Sequence, residues 1–112
     1  MELTIGGYSR KVLLRVGKLE VVLIIWPPGT RTPKHDHGLL AKGWVYMLMG
    51  CVFEIHDGVK DYHKARTSFR EIPLSAHIVG NDSTRTSASL HFYWRLAMKT
   101  LEDSPEDTAL MT

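Results

Sequence analysis

Two histidines stand one residue apart in the segment GTRTPKHDHGLLAKG, residues 29–43. Side chains alternate sides along a β-strand, so a spacing of two sends His35 and His37 to the same face. Two neutral imidazoles converging from one face suit a single metal ion, whereas two core histidines side by side would each need a hydrogen-bond partner of their own. His77 sits in PLSAHIVGN, again at a proline-led turn into a short strand, far enough along the chain to close a site from across a barrel. The segment SASLHFYW carries a second pattern, in which Ser89, His91 and Tyr93 share one face and Leu90, Phe92 and Trp94 the other. Two readings of that strand stand open. Either the polar row turns inward and its members bond one another or a ligand beside the metal, or the apolar row is the core face and the polar row is partly solvated.

These residues need strands to hold them, and the sequence supplies strand signals throughout. Short apolar, β-branched and aromatic runs (KVLLRVG, LEVVLIIW, GWVYMLM, CVFEIH, HIVG, SASLHFYWRL) alternate with turn signals at WPPGT, MGC, HDG and GNDS. The pattern predicts an all-β barrel or sandwich. Asp57-Gly58 predicts a tight hairpin because both positions tolerate positive φ, and His56 and His63, flanking it, are expected at the surface. The one helix candidate is the tail over roughly 98–107, interrupted by Ser104-Pro105. At 112 residues and 44% hydrophobic, the chain has the material for one core and reads as one domain, with the barrel over about 8–97 and a C-terminal tail over 98–112.

Charge and cysteine content exclude several function classes. Fourteen Lys and Arg stand against 12 Asp and Glu, spread without a basic run, so a nucleic-acid partner is not expected. Cys51 is the one cysteine, which excludes an internal disulfide framework and a cysteine-built zinc site. No signal-peptide pattern and no apolar segment of bilayer-spanning length occurs, so the expectation is a cytoplasmic protein without membrane contact.

The segment GTRTPKHDHGLLAKGWVYMLMG resembles the first motif of the cupins, closing at Gly50, and PLSAHIVGN resembles the second, with Asn81 after its histidine. The resemblance implies a cupin-type β-barrel, a jelly-roll holding a divalent metal. Within the cupins the chain is most similar to the cysteine dioxygenase type of thiol dioxygenase. WPPGTRTPKHDHG is similar to that family's tryptophan, glycine and His-Asp-His signature, HIVGN to its third ligand, SLHFY to its Ser-Leu-His-x-Tyr strand, and YSRKV to its Tyr-x-Arg segment. Gly38-Leu39-Leu40-Ala41-Lys42 lacks the carboxylate ligand of most cupins, in keeping with the three-histidine character of thiol dioxygenases. Leu39 and Leu40 depart from the family's small polar residues, and WRLAMK from its prolines after the tyrosine. Gly43 stands where animal members carry the cysteine of a Cys-Tyr crosslink.

The resemblance implies His35, His37 and His77 as ligands of Fe(II), with Ni, Zn or Co as ions a purified sample could carry instead. It further implies a small carboxylated thiol, such as cysteine, and O2 as substrates, Arg10 with Tyr8 as the binder of the substrate carboxylate, and Tyr93, His91 and Ser89 as catalytic neighbours. The alternatives are a metal-binding cupin without turnover, serving as a small-ligand sensor or partner module, and a cupin enzyme of another substrate class. If Ser89, His91 and Tyr93 face inward, Leu90, Phe92 and Trp94 form an outward apolar row. That row predicts a homodimer with Phe92 and Trp94 at or near its interface, unless residues 98–112 fold back over it.

Overall fold

Alternation along the strands decides which side chains enter the barrel. The structure, a computed structural model, describes residues 2–35, 41–71 and 76–95, without the side chains of 41 and 42. Among the described residues the chain forms β1 (Thr4–Ile5), β2 (Ser9–Val16), β3 (Leu19–Trp26), β4 (Thr30–Arg31), β5 (Ala41–Met49), β6 (Cys51–His56), β7 (Val59–Lys64), β8 (Ser68–Glu71), β9 (His77–Asn81) and β10 (Ser87–Arg95). They make two five-stranded sheets, ordered β1-β4-β9-β6-β7 and β2-β3-β10-β5-β8. The all-β expectation holds. The barrel starts ahead of residue 8, because β1 pairs in parallel with β4. The expected tail over 98–112 lies outside the described residues.

The core fills the space between the two sheets. Val22, Ile24 and Trp26 enter it from β3, Val45 and Met47 from β5, Val52 from β6, Val79 from β9 and Tyr93 from β10. Tyr8 packs its ring 4.8 Å from that of Trp26. The β6–β7 hairpin turns at Asp57 and Gly58, with φ of 52° and 76°, as the dipeptide predicts. In β2 the register shifts between Val12 and Leu14. This bulge lets Arg10, Val12 and Arg15 lie on the inner side while Leu14 and Val16 face out.

Candidate metal centre and its neighbours

His35 and His77 meet across the barrel mouth. Their backbones form an isolated antiparallel bridge, His35 N–H donating to His77 O at 3.0 Å and His77 N–H to His35 O at 2.8 Å. Both side chains are buried, and their Nε2 atoms lie 3.0 Å apart. The far side of each ring is tied. His35 Nδ1 is 2.8 Å from Pro33 O, and His77 Nδ1 is 2.8 Å from Glu54 Oε2. A carbonyl can only accept, so His35 Nδ1 carries the proton. Burial pushes the Glu54 carboxyl up, but hydrogen bonds from His77 and His63 outweigh it and hold the group below its ordinary value. Glu54 is therefore an ionised acceptor, and His77 Nδ1 is also protonated.

This tautomer assignment leaves the two Nε2 lone pairs aimed at each other. The arrangement is favourable with a proton shared between them, or with a metal ion set off the line that joins them and bound by both. Nitrogen ligands about 2.1 Å from a metal and set at right angles stand about 3 Å apart, the separation found here. The donor chemistry and spacing thus fit a divalent ion. His37, the expected partner, lies outside the described residues, and among the described residues no group of three His, Cys, Asp or Glu is clustered tightly enough to hold a metal alone.

The Ser89–His91–Tyr93 row faces inward, all three side chains buried. Trp26 Nε1 donates to Ser89 Oγ at 2.9 Å; Ser89 Oγ is 2.7 Å from His91 Nε2, and His91 Nδ1 is 3.2 Å from Tyr93 Oη. The row is satisfied when the Ser89 hydroxyl donates to His91 Nε2 and the protonated His91 Nδ1 donates to Tyr93 Oη. Glu71 Oε1 also lies 3.6 Å from His91 Nδ1. His35, His91, Tyr93, Trp26 and Glu71 line one cavity of about 10 Å³, space for a single water molecule. The row and the candidate centre therefore border the same small cavity.

Arg10 and Tyr8, the expected carboxylate binders, are also interior. The Arg10 side chain is 1% exposed and its Nη2 lies 3.3 Å from Glu20 Oε1, while Arg15 Nε donates to Glu20 Oε2 at 2.9 Å. Glu20 is fully buried between the two arginines. Arg10 Nε and Nη1 are buried without a hydrogen-bond partner among the described residues. Burial raises the Tyr8 phenol pKa, against a lowering pull from Arg10.

Three acidic residues escaped the sequence reading, and His63 was misplaced by it. Glu54 also sits 3.2 Å from His63 Nε2, and the His63 ring stacks on Phe69 at 3.7 Å between centroids. His63 is thus a half-buried partner of the site's carboxylate rather than a surface residue. The available signal was a lone acid inside an apolar strand: Glu54 in CVFEIH, Glu20 in LEVVLIIW.

No family model matches the sequence, and no curated protein is similar to it. Solved structures do match the fold. The Cupin_2 domain of an XRE family transcriptional regulator from Enterobacter cloacae superposes with a TM-score of 0.72 at 18% identity, over 80% of this chain and 97% of that one. The cupin domain of Schizosaccharomyces pombe Cnp3 gives 0.73 at 12%, over 90% and 68%. A Cupin 2 conserved barrel domain protein from Salinispora arenicola gives 0.70 at 17%, over 83% and 81%. The protein has the cupin fold, a double-stranded β-helix of jelly-roll type.

Proposed function

We propose that this cupin is a mononuclear metalloprotein whose ion is held by His35, His77 and His37, and that it oxidises a small carboxylated thiol to its sulfinic acid. In that reaction the thiol takes up both atoms of O2, so the sulfur is oxidised as O2 is reduced and no further co-reactant is needed. Held by neutral imidazole donors alone, a bound Fe(II) would keep its full double charge and would supply Lewis-acid and redox chemistry to a thiol and O2. The chain's own residues do the rest. Pro33 and Glu54 fix the two histidine rings with Nε2 inward, and ligand rings held this way bind metal more tightly. Ser89 and His91 orient Tyr93, whose hydroxyl serves as a donor at the cavity wall. Arg10 Nε and Nη1 are buried donors, and a substrate carboxylate is the kind of group that satisfies them.

The observation that carries the reading is the bonded Ser89–His91–Tyr93 row with Gly43 against it. A Cβ on Gly43 would stand 3.1 Å from Tyr93 Cε1, the ring carbon beside the hydroxyl-bearing one, as expected of the position that bears the crosslinking cysteine in animal thiol dioxygenases. The test is to load the protein with Fe(II), supply cysteine or 3-mercaptopropionate in air, and measure sulfinate and oxygen uptake. Product from either thiol supports the proposal. No product and no oxygen uptake with either overturns it.

A second reading, a metal-binding module without turnover, is favoured by a different observation. The cavity beside the centre has room for one water rather than a substrate, and Glu20 already pairs with Arg10. The Enterobacter cloacae neighbour, part of a transcriptional regulator, is in keeping with a sensing role. Saturable thiol binding by the metallated protein with no oxygen consumption selects this reading over the first.

A further inference from the structure

The second sheet has an outer face that neither the centre nor the core uses, and the strand registers show what it carries. One row across it runs Leu14 (β2), Val21 (β3), Phe92 (β10), Trp44 (β5) and Arg70 (β8). The row beside it runs Lys11, Leu23, Leu90, Tyr46 and Ser68. Val16, Leu19 and Trp94 continue the surface on the other side. Trp44 is 51%, Trp94 48%, Leu14 47% and Phe92 38% exposed, while Val21, lying between Leu14 and Phe92, is buried and serves as the floor of the row. Between Trp44, Phe92, Trp94 and Leu19 lies a groove of about 250 Å³. In these two rows the charges are Lys11 on one edge strand and Arg70 on the other, both positive.

We infer that this face binds a second copy of the chain, sheet against sheet, about a two-fold axis running along β10. Area and charge both point to this occupant. Five strands, the central one nine residues long, present roughly 500 Å² in projection, which doubled reaches the lower bound for a specific dimer. Rotation about an axis along β10 keeps each row level and exchanges the two sides. Phe92 then meets the partner's Phe92, aromatic Trp44 meets the partner's aliphatic Val21, Arg70 lies over the partner's Leu14, and Lys11 over the partner's Ser68. Within these two rows of described residues no like charges meet. An axis across the strands at Phe92 would instead set Arg70 against the partner's Arg70. The self-complementary pairing of an aromatic half with an aliphatic half is what an isologous contact requires. This inference stands apart from the metal reading.

Sedimentation of the full chain at micromolar concentration is expected to give a dimer, and Phe92→Glu a monomer with unchanged far-ultraviolet dichroism. If Phe92→Glu fails to fold, Trp44→Glu, at a more exposed position on the same row, carries the test. The axis is read by crosslinking in a Cys51→Ser background. A short-arm bismaleimide should join Phe92→Cys to itself across the dimer, because facing sheets lie about 10 Å apart, and should not join Leu14→Cys to itself, nearly 20 Å away by strand spacing. A monomeric wild type overturns the inference, whether or not its apolar face captures lipid vesicles or another protein, and so does crosslinking at 14 without crosslinking at 92.

Discussion

His77 and His91 are both buried on strands of the same barrel, yet they are prepared for different work. His77 is held at Nδ1 by a carboxylate and presents Nε2 to another histidine nitrogen; His91 has Nε2 against a serine and Nδ1 against a tyrosine. A nitrogen aimed at a second lone pair is ready for a cation, whereas a nitrogen already in a hydrogen bond must break that bond to coordinate one. In the proposed reading, what separates a ligand from a relay is the use of each ring's two nitrogens, since burial is the same for both.

The strongest way to break this contrast is to remove each ring in turn. His77→Ala is expected to lose most bound metal, while His91→Ala keeps near-normal metal content and loses activity; elemental analysis beside an oxygen-uptake assay reads both. Stoichiometric metal in His77→Ala would make His91 the ligand and reverse the comparison. A smaller change tests the tie at Nδ1. Glu54→Gln should weaken metal binding by about 10- to 100-fold, measured by competition with a chelator, and nitrogen NMR of the metal-free protein should show His77 losing its fixed Nδ1–H form. Glu71→Gln, beside His91, should leave metal affinity near the wild-type value.

Local to the row is Trp26→Phe, which removes the donor to Ser89 and leaves a gap in the core, and should cost about 1 kcal/mol of stability for the lost hydrogen bond plus a cavity cost, read as a shift in the urea midpoint. The least effect belongs to a surface pair remote from both histidines. Burial pushes Asp82 up, but hydrogen bonds from Lys60 and Tyr62 outweigh it and the carboxyl sits below its ordinary value. A depressed carboxyl stabilises the fold above its unfolded-state value and loses that contribution as pH falls through the folded-state one. Urea midpoints of wild type and Asp82→Asn should therefore differ near neutral pH and converge on acidification.

The strands were legible because period-two alternation and Gly-containing turns are local signals. Spacing put Ser89, His91 and Tyr93 on one face and Phe92 and Trp94 on the other, but left open which face turned inward. His35 and His77 announced themselves by residue type and lead-in. What joins them could not be read, because Glu54 reaches His77 across strands 23 positions apart, and Glu20 takes Arg10 from ten positions away. A strand pattern tells which face a side chain takes but not which neighbour in the barrel it meets. His63 went astray for the same reason: beside a hairpin turn it reads as surface, and only the approach of Phe69 and Glu54 encloses it.

β10 lies between β3 and β5 and pairs with both, although among the described residues it is the last strand of its sheet in sequence. While a chain is being synthesised, β3 and β5 leave the ribosome well before the strand that will separate them, each with a bare hydrogen-bonding edge. Joining β10 to β3 brings together residues more than 60 positions apart, and such long loop closures make folding slow. Until β10 inserts, the facing edges of β3 and β5 stay open to pairing with other strands, and its insertion is the step that closes them.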